Sequence, residues 1–169
     1  MDRVLVAYGS KYGATAEIAR RIGEVLERAG LAVDVKPADQ VSDLAPHGAV
    51  VLGSAVYAGQ WRKEAAQLLE AQEEALAARD VWLFSSGPTG EGDPEEILKG
   101  WSFPEQLQPA LVRINPHEVT VFSGEMDMQK LNFGEKLIIK ATKAPTGDFR
   151  DWDSIEAWAE SIAAAVQGG

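Results

Sequence analysis

The feature that most constrains the fold is a regular alternation of short apolar runs with helical periods. Four runs are mostly apolar on both faces, at residues 4–8, 49–52, 81–84 and 119–122. A fifth run, at residues 31–35, alternates apolar and polar residues. Strands that are apolar on both faces are typical of a parallel sheet covered by helices. The pattern predicts a single α/β domain over residues 1–169, with a doubly wound, five-stranded parallel sheet and helices on both faces. Ligands bind such sheets beyond the carboxyl ends of the strands.

Helical periods separate these runs. Apolar residues at positions 18, 22, 25, 26 and 29 share one face of a helix that Gly30 would end. Further helices are predicted at 61–79, 105–114 and 152–166. In the second of these, Leu107, Leu111 and Ile114 should point inward. Asp151 or Asp153 should cap the last one.

Composition limits the chemistry that the chain can perform by itself. The 169 residues carry a formal net charge of −10, which argues against a nucleic-acid partner because such binders present a basic face. There is no cysteine, so disulfides, thiolate metal sites and cysteine nucleophiles are excluded. His47 and His117, interpreted as surface residues, are too few for a histidine-rich metal site. We expect no metal, no signal peptide or membrane span, a cytoplasmic protein, and an organic cofactor for any redox chemistry.

The loop after the first strand has the features of a phosphate site. It joins a strand to a helix start, where unpaired N–H groups and the helix dipole favour an anion. Hydroxyl groups add donors, and a glycine permits close approach. Its residues are Ser10, Lys11, Tyr12, Gly13, Ala14 and Thr15. The Walker and dinucleotide motifs are absent, and a plain capped helix start is an equally good interpretation of the residues alone.

Two more loops follow the third and fourth strands. The third-strand loop offers aromatic side chains for stacking on a flat ring, although Trp61 alone is better interpreted as a buried helix anchor. Its residues are Ser54, Ala55, Val56, Tyr57, Ala58, Gly59 and Trp61. The fourth-strand loop either shapes a pocket wall or forms a plain turn. Its residues are Ser85, Ser86, Gly87, Pro88 and Thr89. The acidic run after it, Glu91, Asp93, Glu95 and Glu96, is interpreted as a solvated helix start.

An insertion at about 124–150 separates the fifth strand from the last helix, where a few residues would suffice. Residues 126–143 hold four lysines against two acidic residues, a local charge of +2 that leaves −12 on the rest of the chain. Apolar residues lie between the lysines. This segment either contacts a membrane surface, a quinone or a partner enzyme, or it is a helix packed on the domain with a solvated lysine face.

Taken in order, the three loops resemble the flavodoxin-like family. Residues 10–15 resemble its loop for the phosphate of flavin mononucleotide (FMN), with Ser10, Gly13 and Thr15 as anchors, and 53–59 and 85–88 resemble its two flavin loops. The resemblance implies the strand order 2-1-3-4-5, FMN as cofactor, and no catalytic side chain, because the flavin carries the chemistry.

Four segments, 57–61, 121–124, 131–137 and 147–152, resemble the branch that contains the menaquinone-dependent protoporphyrinogen oxidases. This resemblance implies oxidation of protoporphyrinogen IX in haem biosynthesis, with electrons passing through FMN to a quinone. It also allows a peripheral position on the inner face of the membrane. The alternatives are an electron carrier that docks to redox proteins and a flavin-free binding module that keeps only the fold.

Two details differ from simple electron-carrying flavodoxins. Lys11 and Tyr12 stand where those proteins often have small hydroxyl residues. Residues 85–93 contain no aromatic side chain, so one flavin face should be open to a substrate or partner. We expect Tyr57 or Trp61 to line the ring. By resemblance, the Ala58–Gly59 peptide rotates when the flavin is reduced, so Gly59→Ala should shift the flavin potential.

Overall fold

A computed structural model describes residues 3–89, 92–94, 103–143 and 145–168. Within them the strands are β1 (Arg3–Gly9), β2 (Ala32–Pro37), β3 (Ala49–Tyr57), β4 (Gln60–Trp61), β5 (Asp80–Ser86), β6 (Glu118–Phe122), β7 (Glu125–Met126) and β8 (Gly147–Asp148). The helices are α1 (Ala14–Arg28), α2 (Lys63–Ala71), α3 (Glu73–Ala77), α4 (Gln108–Ile114), α5 (Phe133–Thr142) and α6 (Trp152–Gly168). Single 3₁₀ turns lie at Ala38–Gln40, Glu105–Leu107 and Met128–Lys130.

The main sheet is parallel along the order β2-β1-β3-β5-β6, which confirms the predicted fold and the order 2-1-3-4-5. The two short hairpin strands are additions to it, since β4 pairs antiparallel with β3 and β7 pairs antiparallel with β8. Gly53 of β3 lies opposite Phe84 of β5, and a Cβ added to it would lie 2.1 Å from the Phe84 ring. The central strands are therefore packed too tightly for a side chain at that position.

Two apolar cores lie on the two faces of the sheet. One is formed with α1 and α6 and contains Phe84, Phe122 and Trp158 in mutual edge or tilted contact, with ring centroids 5.5–5.9 Å apart. The other is formed with α2, α3 and α4. Helices on both faces account for the fully apolar strands, because neither face of β1, β3 or β5 meets water.

The predicted helix over 61–79 was wrong in its start and its continuity. Ala58 and Gly59 form a two-residue hairpin loop, so the chain reverses and Trp61 pairs with Val56. Arg62 is extended, with φ −57° and ψ 141°, and α2 begins only at Lys63. Gln72, with φ −106° and ψ 21°, then separates α2 from α3.

The prediction for the next helix was also only partly correct. The segment begins as a 3₁₀ turn, and the α-helix α4 starts at Gln108. Leu107 and Ile114 are buried and the half-buried Leu111 packs against the same core, so all three point inward as predicted. Asp151 caps α6 as predicted, because its carboxylate accepts the N–H of Ser154 at 3.1 Å. Of the acidic run, Glu91, Glu95 and Glu96 lie outside the described residues.

The prediction that both histidines are surface residues was wrong for His47. Its side chain is only 4% exposed, and its Nε2–H donates to Asp34 at 2.7 Å. The half-buried Asp34 carboxylate is the partner of Nε2, whereas the buried Nδ1 has no hydrogen-bond partner among the described residues. His117 is exposed, stacks on Trp82 at a centroid distance of 4.8 Å, and pairs with Asp80 at 2.8 Å.

Candidate cofactor site

The carboxyl ends of β1, β3, β5 and β6 meet at one edge of the sheet, and a cavity of about 430 Å³ opens there. The three loops and the insertion line it together. Its lining residues are Tyr12, Ala14, Thr15, Ala55, Val56, Tyr57, Ala58, Ser86, Gly87, Gly124, Glu125, Met126, Leu131, Glu135, Ile138 and Ile139. The volume lies within the ~300–1,000 Å³ range of small-molecule sites.

The first loop places a helix N-terminus at this cavity. Gly13 has a φ of 93°, a left-handed conformation that glycine adopts without strain, and its N–H donates to Ser10 Oγ at 3.1 Å. The Ser10 side chain therefore shapes the loop. α1 follows without a side-chain cap, so its first N–H groups are available to an anion. Thr15 is 2% exposed and lines the cavity, and its hydroxyl has no hydrogen-bond partner in the described part of the chain.

The β3–β4 hairpin forms a second wall. Ala58 and Gly59 have φ values of 51° and 76°, the positive pair required by a two-residue turn of type I′. This turn leaves Tyr57 40% exposed at the cavity. Burial of the remaining ring surface raises the pKa of the Tyr57 phenol, so it is neutral at physiological pH.

Trp61 lies outside the cavity lining. Its side chain is buried, its Nε1–H donates to Ser85 Oγ at 2.9 Å, and its ring meets Phe103 edge-on at 4.9 Å. Of the two aromatic residues expected near a flavin ring, the structure therefore brings only Tyr57 to the cavity. The Ser54 side chain has a structural role, since its Oγ accepts a hydrogen bond from the Arg62 backbone N–H at 2.8 Å.

The fourth-strand loop forms the third wall. Ser86 is 1% exposed and lines the cavity, and its hydroxyl lacks a hydrogen-bond partner among the described residues. Gly87 and Gly124 pack backbone to backbone, because a Cβ on Gly124 would lie 2.9 Å from Gly87 Cα. The Gly124 N–H donates to the Pro88 carbonyl at 2.9 Å, while Thr89 is partly buried beside the cavity residues without lining it.

The insertion supplies seven cavity residues that the sequence reasoning did not assign to the site: Gly124, Glu125, Met126, Leu131, Glu135, Ile138 and Ile139. The capping box formed by Asn132 and Glu135 marks the start of α5 and was recognisable as a motif. The position of α5 over the cavity was not recognisable, because it depends on contacts with residues more than 100 positions away.

Glu135 connects the insertion to the first loop. Its carboxylate pairs with Lys11 Nζ at 2.8 Å and accepts a hydrogen bond from the Tyr12 hydroxyl. The bond from Lys11, then those from Tyr12 and the Asn132 backbone N–H, lower the pKa of Glu135 to about 2. The carboxylate is therefore ionised over the whole physiological range.

Arg150 fixes the base of the insertion. Its guanidinium is 5% exposed and lies 2.8 Å from Asp148, 2.7 Å from Glu17 and 3.3 Å from Glu125. It also donates to the Ala14 carbonyl at 3.2 Å. The hydrogen bond to Asp148 is the main cause of its raised pKa, and Arg150 in turn lowers the pKa of Asp148.

A larger cavity of about 970 Å³ lies between β6 and α6, with Asp93, Ser123 and Asp151 among its lining residues. It contains none of the predicted loop residues, and part of its wall adjoins residues outside the described ranges. We therefore place the functional site in the smaller cavity. Within the described residues, no group of three metal-binding side chains occurs and no helix is long and apolar enough to cross a membrane.

The comparisons with known proteins agree with this geometry. The family model described as "Flavodoxin domain" matches residues 5–153. The chain belongs to the flavodoxin domain family. FMN is the cofactor of this family, and the site in this flavodoxin domain fits it: an uncapped helix N-terminus for a phosphate, two hydroxyl residues in the lining, and an apolar cavity beside Tyr57 for a ring.

Solved structures share the fold of this flavodoxin domain at low sequence identity. A flavodoxin from Pseudomonas aeruginosa has a TM-score of 0.61 and 16% identity, covering 98% of this chain and 99% of its own. A flavodoxin from the domain Archaea has a TM-score of 0.60 and 14% identity, with 98% and 99% coverage. Rubredoxin oxygen:oxidoreductase from Desulfovibrio gigas has a TM-score of 0.65 and 16% identity, but this chain spans only 37% of it. No curated protein matches the sequence significantly.

Proposed function

We propose that this flavodoxin domain holds FMN in the cavity formed by the three loops and the insertion, and transfers electrons there as an oxidoreductase. One observation supports this most directly: Thr15, at the α1 N-terminus, and Ser86, at the end of β5, are hydroxyl residues in the lining of the same apolar cavity. Hydroxyl groups that line a cavity can donate hydrogen bonds to a bound polar molecule.

Different residues of the cavity would bind different parts of FMN. The N-terminus of α1 and the Thr15 hydroxyl would hold the phosphate, with the loop shape maintained by Ser10. Tyr57 of the hairpin and Ile139 of α5 would border the ring. FMN supplies one- and two-electron transfer when it is bound, and the protein binds it, orients it and tunes its potential.

The apolar insertion side of the cavity favours a flat apolar reaction partner, and we propose a quinone as electron acceptor. The resemblance to menaquinone-dependent protoporphyrinogen oxidases makes protoporphyrinogen IX the first electron donor to test. A flavodoxin-type carrier that docks to redox proteins is the second candidate, because the acidic surface outside the insertion could steer a basic partner to the site.

Binding of FMN is tested first. We expect the purified protein to be yellow, or to take up added FMN with quenching of flavin fluorescence, and to bind riboflavin more weakly because riboflavin lacks the phosphate. Thr15→Val should weaken FMN binding on the order of tenfold, as expected for a lost hydrogen bond to a charged group. The control Thr146→Val changes an exposed threonine outside this cavity and should have no effect.

Turnover then separates the candidate functions. Quinone-dependent formation of protoporphyrin would support the oxidase, and electron transfer only to protein acceptors would support the carrier. A protein that binds neither FMN nor riboflavin would contradict both and leave a flavin-free module.

A further inference from the structure

Helix α5 has two unlike faces. Glu135, Ile138 and Ile139 line the cavity, with Ile138 still 63% exposed, whereas Phe133 and Leu137 lie outside the lining and are 77% and 52% exposed. None of its residues is buried. A ten-residue helix without a buried face is marginal by itself in water, so its position depends on a few specific contacts.

Those contacts lie at the two ends of the insertion. At the base, the β7–β8 pair is fixed by Arg150, which joins it to Glu17 and to the Ala14 carbonyl of α1. Near the start of α5, Glu135 joins Lys11 and Tyr12 of the first loop.

Lys130 adds a weaker bond from its Nζ to the Tyr12 carbonyl, at 3.4 Å. The Glu135 contacts can break without exposing any core residue, because Lys11 is exposed and Glu135 and Tyr12 are only partly buried. The base is held by a nearly buried cation and three carboxylates, which makes it the more durable attachment.

We propose that Glu135 is a latch that holds α5 closed over the cavity, and that release of this latch opens the cavity for uptake and loss of its ligand. The ligand part of this proposal rests on the proposed function, since it takes FMN as the occupant. Glu135 acts as a positioning residue. Its carboxylate joins the first loop, which would bind the FMN phosphate, to α5, which would cover the flavin ring. Closure of the cavity and binding of the ligand therefore depend on the same loop.

The latch itself is tested in flavin-free protein. Hydrogen–deuterium exchange of residues 133–142 reports whether α5 stays closed, and Glu135→Gln removes the ion pair with Lys11 while keeping the size of the side chain. Tyr12→Phe removes one hydrogen bond without changing the charge. We expect both variants to speed exchange in α5 and to leave exchange in α1 and α6 unchanged. The control Glu70→Gln changes an exposed carboxylate on α2, which does not line the cavity.

The consequence for the ligand is tested in FMN-loaded protein. We expect Glu135→Gln and Tyr12→Phe each to raise the FMN release rate by about threefold or more, the size that a partly exposed ion pair supports. Only the variants that speed hydrogen exchange in α5 should also speed the release of FMN.

Unchanged exchange in both variants overturns the latch. Faster exchange with unchanged or slower release also overturns the proposal, because α5 would then not control the ligand; slower release would indicate that the freed Lys11 holds the phosphate instead. If the wild-type protein binds no FMN, the proposed function fails. The latch is then judged by exchange and by the uptake of an apolar fluorescent dye into the cavity, which the variants should accelerate.

Discussion

Ala58 and Gly59 hold the cavity hairpin in a conformation that most residues avoid. Alanine in the left-handed region costs ~1–2 kcal/mol, and Ala58 adopts it at a φ of 51°. The strain is offset by the pairing of Val56 with Trp61 and by the buried bond from Trp61 to Ser85. Backbone strain of this kind often lies beside ligand sites, and here it positions Tyr57 at the cavity.

Gly59→Ala should lower the free energy of unfolding by about 1 kcal/mol, because alanine would be strained at a φ of 76°. It should also shift the reduction potential of bound FMN, since the changed peptide belongs to the hairpin that lines the cavity. The matched control is Gly30→Ala, with the same kind of strain at a φ of 97°, beyond the end of α1. Urea denaturation should show similar losses in both variants. Equal potentials in the two variants would contradict the role of the hairpin.

The pair of buried His47 and half-buried Asp34 predicts a pH-dependent contribution to stability. The hydrogen bond from His47, with one from Arg3 at 2.9 Å, lowers the pKa of Asp34 below its unfolded value. A depressed carboxyl pKa stabilises the fold above the unfolded pKa of ~3.9, and this contribution is lost as the pH falls through the folded pKa.

Asp34→Asn should therefore lower the free energy of unfolding by roughly 1 kcal/mol at pH 7, and the difference from wild type should shrink below pH 4. Urea denaturation at several pH values measures it. Asp39→Asn, at an exposed position in the turn after β2, is the control and should show no such trend. A loss that is the same at pH 7 and at pH 2.5 would show that the carboxylate charge is not its cause.

The kind of site that a loop forms was easier to predict from the sequence than the contacts of individual side chains. The likeness of residues 10–15 to a phosphate loop came from local features, and the structure places Thr15 in the cavity. His47 was misjudged because its burial and its partner Asp34 depend on the fold. Trp61 is buried, as its residue type alone indicated, but its contacts with Ser85 and Phe103 keep it out of the cavity to which the resemblance assigned it. Composition and spacing do not encode such contacts.

At the level of whole elements, β1, β3, β5 and β6 were predicted because each contains a local apolar run that a glycine or serine follows. β3 continues past Gly53 and Ser54 to Tyr57, so part of the predicted third-strand loop is strand. Helix boundaries were less predictable. The Ala-, Leu- and Glu-rich stretch after Trp61 has high helix propensity throughout, but the hairpin and Gln72 interrupt it. The covering position of α5 was missed because the contacts that place it span 123 and 124 residues of sequence.

The marginal character of α5 leads to a prediction at the level of this element. Gly134→Ala should slow hydrogen exchange across residues 133–142, because alanine favours a helix by ~0.5–1 kcal/mol over glycine and its Cβ would meet only Asn132 Oδ1 at 3.5 Å. The thermal midpoint of the whole domain should hardly change.

Gly23→Ala in α1 provides the contrast. The same substitution there would place a Cβ 2.6 Å from Val35 Cγ2, so it should lower the thermal midpoint. If Gly134→Ala left exchange in α5 unchanged, then α5 would be held by more than its own propensity and the few contacts of Glu135 and Asn132.

For the whole molecule, charge is unevenly distributed. Residues 126–143 of the insertion carry +2 and the rest of the chain −12. Charges separated by more than the Debye length of ~8 Å at physiological salt are largely screened. A charged surface in contact with α5 therefore interacts electrostatically mainly with the nearby lysines. Of these, Lys140 is exposed and Lys136 is half-buried. These lysines flank Phe133 and Leu137 on the face of α5 turned away from the cavity, an arrangement suited to an anionic lipid surface.

Membrane contact is therefore predicted at the outer face of α5. The protein should co-sediment weakly with anionic vesicles, and less so as salt is raised. Binding should be lost in the double variant Phe133→Ser and Leu137→Ser, whose inner face still covers the cavity. Val112→Ser, which removes an apolar side chain that is 76% exposed on α4, is the control and should bind like wild type. If neither wild type nor the double variant binds vesicles, the predicted membrane contact is wrong. The outer face of α5 would then be interpreted as a docking surface for a protein partner, because exposed apolar patches often mark interaction sites.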